Sequence, residues 1–365
     1  MVDNMLEYKC PSCGGALEFN SAIQKMKCLY CSNEFDVETL KALDEAAKIT
    51  SSDDEMNWNI NDGKEFSSDE SNGLNTYVCN SCGGEIITDD TTGATSCPFC
   101  GNPVVLTEKF AGGLKPDYII PFKFSKNDAK ESLKKHLEGK RLLPKVFKSQ
   151  NHIDEIKGIY VPFWMFDADV NGSVTYDATT VDHWSDSQYE YTRTNHFEVF
   201  RQGNVSFTNI PVDASTKMAD DLMQSIEPFN FNEAVDFQTA YFAGYLADKY
   251  DVSVEDSLPK INSRVKTSTE DSFRSTINAI YSSVTPKASY VNVQNGSSKY
   301  ALLPVWILNT TWNGQKYTFA MNGQTGKFVG DLPMDKGLRN KYFIGTFLAA
   351  GAAGALISLL LQLLF

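Results

Sequence analysis

The longest uninterrupted apolar run lies at the end of the chain. Residues 342–365 contain no charged side chain. As a helix at about 1.5 Å per residue they would extend about 36 Å, more than the roughly 30 Å of a bilayer's hydrocarbon layer. The run is apolar all round, which a surface helix is not. Lys336, Arg339 and Lys341 stand immediately before it as a basic juxtamembrane segment, 334–341. Positive-inside bias therefore predicts a single-pass cell-membrane protein with its N-terminal bulk in the cytoplasm. Gly345/Ala349, Ala350/Gly354 and Gly351/Ala355 are small residues four apart. They would let two such helices approach closely, which predicts an oligomer formed through the tail.

Elsewhere the apolar positions alternate between two periods. Val37, Leu40, Leu43 and Ala47 mark a short amphipathic helix, and helical stretches are expected over 127–138 and 254–281, the latter containing Pro259. Val161-Pro162-Phe163-Trp164 and Leu303-Pro304-Val305-Trp306 begin two similar strands, 142 residues apart. Each runs toward an Asn-Gly pair, Asn171-Gly172 and Asn313-Gly314, the usual type I′ hairpin signal. The fold class predicted is α+β. A main domain over 115–333 would be built by doubling a strand–helix–hairpin unit, and each copy is preceded by one of the helices.

Charge refines this division. The formal net charge of −13 is uneven: 36–75 carries eleven acids against three lysines, whereas 115–157 carries eleven basic residues against six acids. Residues 36–75 therefore read as the short helix followed by an acidic Ser/Asp/Asn-rich linker. Apolar residues there are too sparse to offset the entropy of ordering the chain, so most of it is expected to be mobile. Met56, Trp58 and Phe66 are the exceptions, spaced like anchors for a partner or for the protein's own core. Lys134, Lys135, Lys140, Arg141, Lys145 and Lys148 form a basic run that reads as a solvated face.

All eight cysteines fall in CxxC pairs, and no signal peptide precedes them, so a reducing compartment and metal ligation are expected rather than disulfides. Cys10, Cys13, Cys28 and Cys31 recur as Cys79, Cys82, Cys97 and Cys100 at an offset of 69, and fourteen residues separate the inner cysteines in both sets. Four thiolates complete a tetrahedral zinc shell and leave no position for water or substrate. The expectation is two structural Zn²⁺ in two zinc ribbons, 1–35 and 76–114. Glycine follows the second cysteine at Cys13, Cys82 and Cys100, where a tight turn needs a permissive backbone; Ser32 after Cys31 departs from the pattern. Phe19, Met26 and Phe35 would form one small ribbon core, and Ile86, Ile87 and Val104 the other.

Chemistry beyond metal binding is not signalled. His136, His152, His183 and His196 are scattered, and no HExxH, GxxxxGK[ST] or GxSxG sequence occurs. Asp167 and Asp169 become Asn309 and Thr311 in the second strand repeat, which favours a structural position over acid–base work. Neither ribbon supplies the basic surface that phosphate contacts need. Eight thiolates and two Zn²⁺ would take the formal charge from −13 to −17. Nucleic acid is thus a poor partner for the ribbons.

The tandem ribbons opening on Cys10-Pro11-Ser12-Cys13-Gly14-Gly15 and Cys79-Asn80-Ser81-Cys82-Gly83-Gly84, with Leu114-Lys115-Pro116-Asp117-Tyr118, Lys157-Gly158-Ile159-Tyr160-Val161-Pro162-Phe163-Trp164 and 319–327, together resemble a bacterial family. Its members are membrane-associated zinc-ribbon proteins of Gram-positive bacteria, often described as TFIIB-type zinc-ribbon proteins. The resemblance implies a non-enzymatic, membrane-bound accessory protein with no catalytic residues. Relatives are often encoded near phage-shock-type or band-7 membrane-stress proteins. It therefore also implies an adaptor that recruits such cytosolic or membrane-associated proteins. The alternative is a nucleic-acid-binding accessory protein of replication or transcription.

Overall fold

The computed structural model describes residues 8–60, 63–71, 73–89, 92, 94, 96–109, 113–148, 153 and 155–364. The chain divides into two compact units. The first takes Met1–Asn61, Phe166–Ile210 and Leu258–Ser298; the second takes Asp62–Met165, Pro211–Ser257 and Lys299–Phe365. The fold is mixed α+β, as expected.

The first unit begins with β1 (Leu17–Asn20), β2 (Lys25–Cys28) and β3 (Glu34–Phe35), an antiparallel three-stranded sheet. Helix α1 (Val37–Thr50) follows, with Leu40, Ala46 and Thr50 buried; Ala47, expected on the apolar stripe, is exposed. Strand β4 is Glu55–Asn59.

Residues 51–60 are not the mobile linker that their composition suggests. Strand β4 pairs in parallel with residues 292–297. Met56 and Trp58 alternate inward, and the Trp58 indole N–H donates to Asn262 Oδ1 at 2.7 Å. Asp54 accepts from the Val291 amide at 2.9 Å and pairs with Lys266 at 2.6 Å. These anchors serve the protein's own core, and their burial offsets the ordering entropy that a count of apolar residues alone leaves uncovered.

In the second unit, β5 (Lys64–Glu65), β6 (Leu74–Val78), β7 (Glu85–Asp89), β8 (Val105–Lys109), β9 (Leu114–Lys115) and β10 (Tyr118–Ile119) come first. Helix α2 (Ser68–Ser71) lies between β5 and β6. Phe66, the third predicted anchor, meets Phe237 edge-on at 5.6 Å within this unit. Helix α3 (Lys126–Leu137) has a capping box at its start, in which Ser125 and Asp128 satisfy each other's backbone amides. Lys134, Lys135, Lys140, Arg141, Lys145 and Lys148 are all exposed.

Four long strands carry the rest: β11 (Lys157–Ser185), β12 (Glu190–Asp213), β15 (Ser283–Trp312) and β16 (Gln315–Asn322). Shorter elements lie between and after them. These are α4 (Asp220–Ile226), β13 (Val235–Asp236), β14 (Leu246–Asp248), α5 (Val254–Ser275) and β17 (Phe328–Gly330). Helix α5 accommodates Pro259 near its start and ends six residues earlier than the pattern implied. Ser253 Oγ accepts from the Asp256 amide at 3.0 Å and fixes the helix entry.

The strand order β13-β10-β15-β11-β14-β7-β6-β8 gives the second unit its sheet. Tyr118 and Ile119 pair in parallel with Ala301 and Leu302, while Leu246 and Ala247 pair in parallel with Ile159 and Tyr160. Ile159/Tyr160 and Ala301/Leu302 are 142 residues apart, the repeat read from sequence. Equivalent strands thus meet equivalent partners. Ile159, Val161, Phe163, Leu303, Val305 and Ile307 fill one core of this unit; Leu133, Phe147, Trp306, Phe319 and Met321 belong to another.

The two Asn-Gly pairs have different fates. Asn313 (φ 51°) and Gly314 (φ 76°) turn β15 into β16, which pairs back from Trp312↔Gln315 to Val305↔Asn322. Asn171-Gly172, expected to be a hairpin too, instead lies inside β11, which runs straight on to Ser185. Gly172 serves packing there: a Cβ would come within 2.7 Å of Thr269 Cγ2 on α5, and Asn171 Nδ2 donates to Asn204 Oδ1 at 2.8 Å. Tyr176, Val174 and Phe273 form the small core of this part of the first unit.

Helix α6 (Lys336–Leu364) closes the described chain. Its 23-residue stretch Lys336–Ser358 is long and apolar enough to cross a membrane, and none of it is buried.

Candidate metal centres

Each CxxC pair folds into the same hydrogen-bonded knuckle. The amide of the first cysteine donates to the carbonyl five residues on, and the amide four residues on donates back to the cysteine carbonyl. In ribbon 1 these bonds are Cys10–Gly15 (2.8 Å) with Gly14–Cys10 (2.8 Å), and Cys28–Asn33 (2.9 Å) with Ser32–Cys28 (3.0 Å). In ribbon 2 they are Cys79–Gly84 (2.9 Å) with Gly83–Cys79 (2.8 Å), and Cys97–Asn102 (2.7 Å) with Gly101–Cys97 (3.1 Å). The residue after the second cysteine must take a left-handed backbone: φ is 72° at Gly14, 68° at Gly83 and 80° at Gly101. Ser32 adopts it as well, at φ 61°. The departure from glycine changes the energy of that knuckle rather than its geometry.

The predicted ligands converge as two separate sets. Cys10, Cys13, Cys28 and Cys31 bring their Sγ atoms within 4.8 Å of one another, and so do Cys79, Cys82, Cys97 and Cys100. The nearest contacts are Cys10–Cys31 at 3.6 Å, Cys13–Cys28 at 3.4 Å, Cys79–Cys100 at 3.5 Å and Cys82–Cys97 at 3.6 Å. A tetrahedron with metal–sulfur bonds of about 2.3 Å has sulfurs about 3.8 Å apart, so both cages are close to the size zinc needs. The Cys31 amide, seconded by that of Tyr30, pulls the Cys28 thiol down to about 6 against its burial, while the Cys31 thiol rises to about 12, the Asn33 amide there outweighed by burial and by contacts with Cys10 and Cys28. N–H···S bonding of this kind favours the thiolate that a metal requires. An all-thiolate, four-ligand shell suits structural zinc and leaves no open position for catalysis.

Around these like knuckles the two ribbons differ. Ribbon 2 is a built-in part of the second unit's sheet. Strand β7 pairs with β14 through Ile87↔Ala247 and Ile86↔Asp248, and Cys79, Ile86, Cys97 and Phe99 belong to the unit's main core. The Pro98 carbonyl accepts from Asn309 and the Phe99 carbonyl from Lys316, while Lys157 Nζ donates to the Ser96 carbonyl at 2.8 Å.

Among the described residues, ribbon 1 has no such cover. Phe19, Met26 and Phe35 do align across the strands as a row, yet Phe19 is 53% exposed. Leu29 and Tyr30 are 61% and 78% exposed, against 3% for Phe99, the counterpart of Tyr30 at the 69-residue offset.

Sequence reasoning missed the partnership of the second glycine in each Cys-Gly-Gly with the aromatic inside the following CxxC. A Cβ on Gly15 would lie 2.5 Å from Tyr30 Cδ2, and one on Gly84 would lie 2.9 Å from Phe99 Cδ2. The repeat held the signal, since Gly15/Gly84 and Tyr30/Phe99 share the offset of the cysteines.

The chain is similar to the uncharacterized protein YdjG of Bacillus subtilis (strain 168), 36% identical over 349 residues that cover 94% of this chain and 96% of that protein. The chain belongs to the family of that protein. No family model and no solved structure matches it.

Asp167 and Asp169, the candidate carboxylate pair, are each held by hydrogen bonds. Asp167 accepts from the Asn209 amide at 2.7 Å, and Asp169 accepts from Ser206 at 2.7 Å and Asn295 at 3.1 Å. Asn309, which replaces Asp167 in the repeat, braces ribbon 2 instead. His183 bonds Thr192 at 2.9 Å, His136 packs on Phe328 and His196 is exposed; His152 lies outside the described residues.

Proposed function

We propose that this protein is a membrane-anchored zinc-ribbon adaptor that recruits protein partners through ribbon 1. The observation that carries this reading is the inequality of the two ribbons. Two knuckles of one design present the same aromatic position, buried in ribbon 2 and 78% exposed at Tyr30 in ribbon 1. Exposed Phe19, Leu29 and Tyr30 on one small module are the kind of apolar patch that marks a contact site.

In this reading zinc supplies rigidity only. The eight cysteines hold two ions whose closed shells fix the knuckles, and the surface does the binding. Helix α6 anchors the chain, and Lys336, Arg339 and Lys341 orient it with both units in the cytoplasm. The small residues of the tail pair helices between copies. The matched strand pairings support an internally doubled main domain. We further read the family as the TFIIB-type zinc-ribbon group, and the recruited partners as membrane-stress proteins of phage-shock or band-7 type.

Crosslinking and pull-down from intact membranes test the proposal. A Leu29→Ser/Tyr30→Ser chain should keep its zinc and its place in the membrane fraction while losing partners that the parent captures. Retention of every partner would overturn the recruiting role of ribbon 1.

A further inference from the structure

The second unit holds a cleft of about 450 Å³ beside ribbon 2. Its chemistry is one-sided. Among the described residues, Lys126 and Lys157 line it together with the hydroxyls of Thr92 and Ser96, and no carboxylate does. Thr92 Oγ1 already accepts from the Gly244 amide at 2.9 Å, which leaves its own hydrogen free to donate. Ser96 Oγ is likewise occupied as an acceptor, by Lys157 Nζ. Lys126 makes no hydrogen bond or ion pair among the described residues. The cleft thus offers donors and few acceptors.

Burial lowers the affinity of Lys157 for its proton, Cys97 and Glu155 oppose that effect, and Lys126 adds a smaller repulsion of its own. That repulsion is relieved when an anion lies between them. The start of α3 is not itself the attraction, because Asp128 already caps it through Ser125.

The floor is aromatic. Tyr245 stacks on Phe122 with ring centroids 4.1 Å apart and planes 4° apart, and Trp306 is fixed by its indole N–H to the Phe124 carbonyl at 3.0 Å. Both rings line the cleft. A rigid, mostly apolar floor with a few convergent polar groups is the common form of a small-molecule site.

We propose that this cleft binds a small phosphate monoester carrying an aromatic or heterocyclic group. The flat group lies against Tyr245 beside the buried edge of Trp306, and the phosphate takes hydrogen bonds from Lys126, Lys157, Thr92 and Ser96. A phosphate has charge for both ammoniums and three oxygens for the surrounding donors. Ser96 directly precedes Cys97, so the ligand touches the chain next to the ribbon 2 knuckle. This goes beyond partner recruitment and does not depend on it.

The test uses the full-length, zinc-loaded chain in a neutral detergent, with phenyl phosphate as probe in saturation-transfer NMR titrations. Phenol and inorganic phosphate serve as the apolar and charged halves. Phenyl phosphate should bind saturably and at least fivefold more tightly than either half. Lys126→Gln should weaken it at least fivefold, and Lys134→Gln, on the same helix but away from the cleft, should leave it unchanged. Lys126 is exposed, so its replacement does not threaten the fold. Three results would each overturn the proposal: no saturable binding, equal binding of phenol or inorganic phosphate, or an affinity indifferent to Lys126→Gln.

Discussion

Adding one methyl group at equivalent positions of the two ribbons should have unequal effects, in the opposite order to the crowding. An Ala at position 15 brings Cβ within 2.5 Å of the Tyr30 ring, and an Ala at position 84 brings it within 2.9 Å of the Phe99 ring. By distance alone Gly15→Ala is the worse clash. Tyr30, however, is 78% exposed and can rotate into solvent, whereas Phe99 is 3% exposed inside the main core. The backbone beneath Phe99 is held as well, its carbonyl by Lys316 and that of Pro98 by Asn309. Gly84→Ala therefore overpacks a site that cannot yield, at a cost of about 1–3 kcal/mol. Gly15→Ala should stay within about 0.5 kcal/mol, as surface changes do. The entropy gained by replacing glycine is common to both and cancels in the comparison.

Amide hydrogen exchange reads each knuckle separately, at Cys79 and Gly83 in one ribbon and Cys10 and Gly14 in the other. A local loss of about 1–3 kcal/mol speeds exchange roughly 5- to 150-fold when opening precedes exchange. Gly84→Ala should show that acceleration in ribbon 2, and Gly15→Ala should show almost none in ribbon 1. An equal or larger effect at Gly15 would mean that the Tyr30 side chain is held as firmly as Phe99, contrary to its exposure.

Two further outcomes follow from strain and burial. Ser32→Gly should stabilise ribbon 1 by about 0.5–1 kcal/mol, the left-handed penalty of about 1–2 less the backbone entropy of glycine, seen as slower zinc loss to a chelator; faster loss would contradict it. Asp248 is 1% exposed, with both carboxylate oxygens lacking a hydrogen-bond partner. Burial, with Asp251 and Asp213 nearby, pushes its carboxyl well above the usual range despite Ser215 and Lys217. Its folded form then holds a proton that the unfolded chain releases above about pH 4, so stability falls as pH rises from there toward the raised folded value. Asp248→Asn should remove that slope, matching the parent in melting temperature near pH 4.5 and exceeding it at pH 7.5. A variant less stable than the parent at pH 7.5 would contradict this sign.

Local chemistry was the legible part of this chain. Knuckle spacing located all eight cysteines in two clusters, because CxxC geometry is set within six residues. The 142-residue repeat located the paired strands, and Asn313-Gly314 located a turn. Features that depend on distant partners were not legible. Asn171-Gly172 carries the same dipeptide as the true turn, yet its glycine makes room for Thr269, about a hundred residues away. Strand β4 sits in an acidic, apolar-poor stretch and is ordered by residues 292–297 and by Asn262. The seating of ribbon 2 depends on Asn309 and Lys316, over two hundred residues beyond the knuckle they brace. Nothing local distinguishes Phe99 from Tyr30; only the surface each one meets does.

Zinc release under a chelator sets the two ribbons against each other. The purified full-length chain should hold two zinc ions and release them in two equal phases, a fast one from the bare ribbon 1 and a slow one from ribbon 2, which must first leave the sheet. Cys31→Ser should abolish the fast phase and leave the slow one intact. A chain that holds fewer than two tightly bound metal ions, or that gives both up in a single phase, would contradict the account.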